Sequence, residues 1–346
     1  MDLDRYYHAY LGTNSMRGSK GIYHLSIQKE TLSFQIDATY PAHNADYLCL
    51  SPDRRYLYAA YELVYFNGQP TSGVGSYRLG ADGSIQLLEQ ANVHGQMACF
   101  CSVSQDGARL YSCSYMAGSV TVTPVSGDGH LGQEQLVISQ APRPGCHWPS
   151  THSVYETSDG RYIFSTNVGL DTVFLHDKAG TPVYQLTVEG RPRQAAFSED
   201  GTRIYVSTEA GGDVFVLSYH PETPQPLQLQ SRISTTPPDW HGHAETAGIK
   251  LSPDGRTLLV CVRAPELNCL AAFAVDPHSG DLSLTGRVPL SGSFPRDLDF
   301  TPDGRYVLVG LQFSDTLELF RVEEPGLLTS VYSGFPVPCC SCIKFL

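Results

Sequence analysis

The chain has 346 residues, 41% of them hydrophobic, with 20 Tyr against 2 Trp, 32 Gly and 23 Pro; this is enough apolar material for a core and enough turn formers for many short elements. Its 23 Lys and Arg against 35 Asp and Glu give a net charge of −12, and with no basic run the sequence argues against nucleic acid as a partner. No apolar stretch approaches a membrane span, and the start Met1-Asp2-Leu3-Asp4-Arg5 lacks the basic and apolar regions of a secretory leader, so a cytoplasmic protein is expected.

Residues 7–13 and 21–25 read as two strands with no Asp-Gly turn before them. From there a unit recurs: a polar turn carrying Asp, usually with Gly, followed by a β-branched or aromatic strand. The copies are SPDRRYLYAAYE, SQDGARLYSCSY, TSDGRYIFSTNV, SEDGTRIYVSTE, SPDGRTLLVCVR and TPDGRYVLVGLQ, with turn aspartates Asp53, Asp106, Asp159, Asp200, Asp254 and Asp303. Asp-Gly between alternating runs is a strong hairpin signal. The intervals of 41 to 54 residues match a four-stranded blade. No segment shows helical periodicity, so very little helix is expected.

Six turns make six blades. The two N-terminal strands lack an inner partner, which Cys342-Ile343-Lys344-Phe345 can supply, and closing a ring with strands from both termini removes exposed edges. The expectation is an all-β, seven-bladed β-propeller of four-stranded antiparallel blades, as a single domain over residues 1–346.

The turns also fix a register. The beginning of the inner strand and the end of its hairpin partner lie at one end of a blade. Seven residues back from each turn Asp stand Asp46, Cys99, His152, Arg193, Ala247 and Arg296; nine forward stand Glu62, Tyr115, Val168, Glu209, Arg263 and Gln312, with the polar Asn167 beside Val168. Arg, Glu and His are uncommon at inward-facing strand ends unless paired or functional. A solvated ion-pair network lining a wet channel is the plain reading of such charges. The excess of arginines with a histidine favours chemistry.

Other groupings carry less. Cys339, Cys340 and Cys342 lack a second ligand pair at finger spacing. His241, His243 and Glu245 share a face if extended and could ligate a metal, but they follow Pro237-Pro238 and read more simply as a loop. Cys146 and His147 sit in a Pro-rich rim loop. The ten cysteines read as buried thiols. No G-x-S-x-G elbow or phosphate loop is present, and neither a cofactor nor a catalytic metal is expected.

These stretches resemble the seven-bladed propeller lactonase family, which includes the bacterial propeller-type 6-phosphogluconolactonase and the fungal carboxymuconate lactonising enzyme. The resemblance runs from Gly12-Thr13 and Gly18-Ser19-Lys20-Gly21-Ile22-Tyr23 to Pro295-Arg296-Asp297, through Tyr47-Leu48-Cys49-Leu50-Ser51-Pro52-Asp53, Ser114-Tyr115-Met116-Ala117-Gly118, Gly190-Arg191-Pro192-Arg193 and Ser252-Pro253-Asp254-Gly255-Arg256. The family's active-site group of one His, two Arg and one Glu falls by motif on His152, Arg193, Glu209 and Arg263. The chain departs from the family pattern at Gln194 after Pro192-Arg193, at Ala98-Cys99-Phe100, at Gly248 where an acid is usual, and at Asn167 where Asp is usual.

The resemblance implies a hydrolase opening a sugar-acid lactone, of the 6-phosphogluconolactonase type, in carbohydrate metabolism and the pentose phosphate pathway. His152 or Glu209 would activate water, while Arg193 and Arg263 would stabilise the oxyanion or hold a substrate anion. Glu62, Tyr115, Asn167, Arg296 and Gln312 are the expected substrate contacts. A monomer or weak homo-oligomer acting on a small, anionic lactone is expected. The alternatives are a lactonising cycloisomerase, a lactonase for another aldonolactone, and a non-catalytic interaction propeller.

Overall fold

A computed structural model describes residues 1–133, 135–141 and 148–346. Its strands fall into seven groups of four. Sheet one joins Cys340–Phe345 to Tyr6–Thr13, Gly21–Gln28 and Phe34–Pro41, so the two ends of the chain share a sheet as the unpaired N-terminal strands require. The inner strands of sheets two to seven are Ala45–Leu50, Ala98–Val103, Thr151–Glu156, Pro192–Phe197, Glu245–Leu251 and Pro295–Phe300, each followed outward by three antiparallel strands. A single 3-10 turn, Met16–Gly18, is the helical structure among the described residues.

The Asp turns act alike in all six copies. A hydroxyl two residues before the Asp (Ser51, Ser104, Thr157, Ser198, Ser252, Thr301) donates to its Oδ1 at 2.5–2.7 Å. The hydroxyl oxygen of that Ser or Thr in turn accepts the N–H of the residue five positions after it, at 2.9–3.0 Å. The residue after the Asp holds a left-handed φ of 55–72°, glycine in five turns and Arg54 in the sixth, which explains why glycine is usual there.

Contact density divides the chain into two compact units: Met1–Leu170, Phe174–Val183 and Ser341–Leu346 form one, and Asp171–Val173 with Tyr184–Cys340 form the other. Within each unit the second strands are buried along their length, as in Tyr56–Tyr61 and Thr257–Arg263. Outermost strands such as Leu282–Pro289 alternate instead, because only one of their faces meets protein. Tyrosine suits this packing, since a buried phenol must find an acceptor. Tyr10 donates to the Gly83 carbonyl at 2.9 Å in one unit and Tyr205 to the Gly280 carbonyl at 2.9 Å in the other, each reaching a hairpin turn of the next sheet.

Candidate active site

Counting seven residues back from each turn aspartate reaches a β-bulge in all six sheets. Asp46, Cys99, His152, Arg193 and Arg296 are each skipped in the register between the inner strand and its partner; in sheet six the skip takes in Ala247 and Gly248. A bulge breaks the strand alternation and re-aims one side chain.

The forward count has its own lock. The N–H groups of Glu62, Tyr115, Val168, Glu209 and Gln312 donate to the carbonyls of Asn44, Met97, Ser150, Arg191 and Phe294 at 2.7–3.0 Å. Each acceptor stands two residues before its bulge, and Asn44, Met97, Arg191 and Phe294 take a left-handed φ of 47–67°. The turn, the bulge and this closing bond together fix both columns of side chains.

In the second unit the columns bring charge together. Arg193 is 2% exposed and Arg263 7%, while Arg296 and Glu209 are half-buried. Arg263 donates from Nε to Glu245 Oε2 at 2.7 Å, and its guanidinium carbon lies 4.3 Å from the centroid of Phe294. Phe294 in turn stacks on Phe313 at 4.0 Å. Burial, together with the charges of Arg193 and Arg296, lowers the Arg263 guanidinium to about 10, against the opposing pull of Glu245 and Glu209. It remains a cation at neutral pH, but one that its surroundings resist. Its Nη1 is buried with no hydrogen-bond partner among the described residues, and an unmet charged donor is costly unless a ligand acceptor meets it. Beside it opens a cleft of about 360 Å³ lined by His243, Glu245, Arg263, Asn268, Phe294 and Phe313. Glu209 also has Arg191 Nη2 at 3.7 Å, and Gln312 is 2% exposed.

In the first unit His152 is 5% exposed, with the ring of Tyr115 edge-on to its own at 5.9 Å. Glu62 is half-buried at the corresponding position of sheet two. Asn167, expected as a substrate contact, has a full set of partners within the protein. It is fully buried; its Oδ1 accepts from the N–H groups of Ser150 and Leu170 at 2.9 and 3.1 Å, and its Nδ2 donates to Gln140 at 2.6 Å. Its amide holds the hairpin end together, which is why Val168 rather than Asn167 occupies the closing position.

Three side chains escaped the sequence reading. Glu245 was weighed only as a metal ligand, yet it is the direct partner of Arg263, and His243 Nε2 lies 3.2 Å from its other oxygen. Asp297 is 1% exposed and its Oδ1 lies 2.8 Å from where a Cβ on Gly248 would stand; the missing acid at 248 leaves room that a neighbouring carboxylate uses. Phe294 forms the apolar side of the cleft. Among the described residues the donors close enough to share a metal ion are His8, His24 and Asp37, not His241, His243 and Glu245. Cys146 and His147 lie outside the described residues.

Seven groups of four antiparallel strands, with one bulge repeated at the inner strands of six, define a β-propeller. The chain belongs to the lactonase family of seven-bladed β-propellers, whose model it matches over residues 8–345. It is 29% identical to a 6-phosphogluconolactonase of Bacillus subtilis, covering 98% of both chains, and 26% identical to a 6-phosphogluconolactonase of Serratia proteamaculans, covering 84% of both. Among solved structures it is similar to the periplasmic gluconolactonase of Pseudomonas aeruginosa, with a TM-score of 0.89, 29% identity and 99% of both chains covered. No helix among the described residues is long and apolar enough to cross a membrane.

Proposed function

We propose that this protein hydrolyses a sugar-acid lactone, with 6-phosphogluconolactone as the first substrate to test. Lactone hydrolysis needs an activated water, a site for negative charge on the carbonyl oxygen, and a proton for the departing alkoxide. The observation that carries the reading is the arginine group. Arg263 is buried, pressed by Arg193 and Arg296, and has an open Nη1, so an anion entering that environment gains more than it would in water. Arg193 and Arg263 take the role of stabilising the oxyanion or clamping a substrate phosphate or carboxylate. Arg296, Glu62, Tyr115 and Gln312 are assigned to orienting the substrate.

His152 or Glu209 activates water. An imidazole titrates near neutrality and suits general-base catalysis, whereas Glu209 beside Arg191 is better suited to orienting cations. The protein acts in the cytoplasm in this reading; cell fractionation checks it, since the similar Pseudomonas protein is periplasmic.

The test is hydrolysis of a small panel of phosphorylated and plain aldonolactones, followed by His152→Ala on the best substrate. The expected result is turnover of at least one panel member and a fall of roughly 10²–10⁴-fold in the variant. A phosphorylated lactone preferred over its plain counterpart supports the phosphate-clamp role of the arginines. A folded protein that opens none of them, or a variant as active as the parent, defeats the proposal.

A further inference from the structure

Sheet one carries a buried group that the lactonase reading does not use. His8 lies on Tyr6–Thr13, His24 on Gly21–Gln28 and Asp37 on Phe34–Pro41, three neighbouring strands. His8 faces Ser26 in the register and Tyr10 faces His24, so the two imidazoles are diagonal neighbours on one face. The register then slips between His24 and Leu25, pairing Ala38 and Ile36 but skipping Asp37. That bulge turns the carboxylate toward the histidines.

The donor atoms converge. His8 Nδ1 and His24 Nε2 share a hydrogen bond of 3.2 Å that an ion would replace; Asp37 Oδ2 is 3.9 Å from His8 Nδ1 and 3.7 Å from the other His24 nitrogen, Nδ1, and one donor atom from each of the three residues lies within 4.8 Å of the other two. Donors sharing one tetrahedral ion at about 2.0–2.1 Å stand roughly 3.3 Å apart, so small side-chain movements would close the set on an ion. The carboxylate is oriented for this. Ser26 Oγ and Gln35 Nε2 both donate to Oδ1 at 3.0 Å, leaving Oδ2 for the imidazoles, which is how outer partners orient metal ligands.

The rings are held too. Tyr10 stacks on His24 at 5.1 Å, and Gly83, with a φ of 85°, approaches so closely that a Cβ there would come within 2.3 Å of the His24 ring. His8 and His24 are 7% and 3% exposed, and His8 Nε2 is buried without a hydrogen-bond partner among the described residues. A purely hydrogen-bonded triad would bring the carboxylate within bonding range of an imidazole; here both separations exceed it.

We infer that His8, His24 and Asp37 bind one divalent transition-metal ion of the zinc class, as a structural clip across three strands of the sheet that joins the chain ends. Two neutral imidazoles and one carboxylate are the ligand types that zinc and its neighbours take. The Asp37 side chain, 25% exposed, leaves an approach for the ion and for a water as fourth ligand.

Co2+ is the probe, because its visible absorption reports coordination and a thiolate-to-cobalt band would expose binding at cysteine instead. Metal-stripped full-length protein titrated with Co2+ is expected to bind one equivalent, without the thiolate band, to yield it to Zn2+, and to melt several degrees higher with either ion, since a ligand bound only by the folded state stabilises it. His24→Gln and the near-isosteric Asp37→Asn, each checked for fold by circular dichroism in the absence of metal, should weaken binding at least about tenfold. His243→Gln should leave it intact. No Co2+ signal at millimolar concentration in the parent protein, or a signal that survives both ligand substitutions, overturns the inference.

Discussion

Arg263 sits between an acid and an aromatic ring, with Glu245 fixing one edge of its guanidinium and Phe294 covering a face. That arrangement leaves Nη1 as the donor available to a ligand and prevents the side chain from turning away. Nearby, Gly248 has no room for a larger residue: an added Cβ would lie 2.8 Å from Asp297 Oδ1 and 2.9 Å from its Cα. Backbone cannot yield as a flexible side chain can. Gly248→Ala is therefore expected to destabilise the protein by roughly 1–3 kcal/mol, read as a lower midpoint in urea; an unchanged midpoint would mean that the packing of Gly248 against Asp297 is looser than its contacts imply. Residue identities at the charged columns were legible in the sequence because the turn aspartates count them out. The partnership of Glu245 with Arg263 was not, since it exists only once the two strands pair with Glu245 opposite Arg263. The bonds of Asn167 were equally hidden, since its amide meets Ser150, Leu170 and Gln140 only in the folded arrangement.

At the scale of the element, turns were the most legible feature, because Ser/Thr-x-Asp-Gly chemistry is local and needs no partner strand. Even Arg54 takes the left-handed conformation that glycine holds in the other copies. The bulges were invisible, being a property of two strands together, yet a simple count of seven residues lands on them in all six sheets. The strand from the C-terminus was foreseeable from the unpaired N-terminal pair, and it closes with Ser341 Oγ donating to the Asp46 carbonyl at 2.8 Å. Sheet-to-sheet clamps by tyrosine were not foreseeable beyond the high Tyr count. Tyr205→Phe removes the bond to the Gly280 carbonyl while keeping the ring, and should lower stability by about 1 kcal/mol. Equal stability of the two proteins in chemical denaturation would show that the phenol contributes nothing there.

For the whole molecule, an acidic chain of net charge −12 places a cluster of arginines, Arg193 and Arg263 buried and Arg296 half-buried, in one of its compact units. A distant anion is repelled by the overall charge, while one that reaches the cleft meets a strong local field of opposite sign. If the substrate is the anionic lactone proposed, its selection rests on the cleft rather than on long-range steering. The fold class and the family were readable from six turns and a handful of motifs; the partners that tune each charge required the folded arrangement. The most direct measurement is kcat/KM of Arg263→Met on the preferred lactone, beside the parent protein at equal fold content. Loss of a donor to developing negative charge predicts a fall of about 10²–10³-fold, whereas a value within about twofold of the parent would contradict the role given to the arginine group.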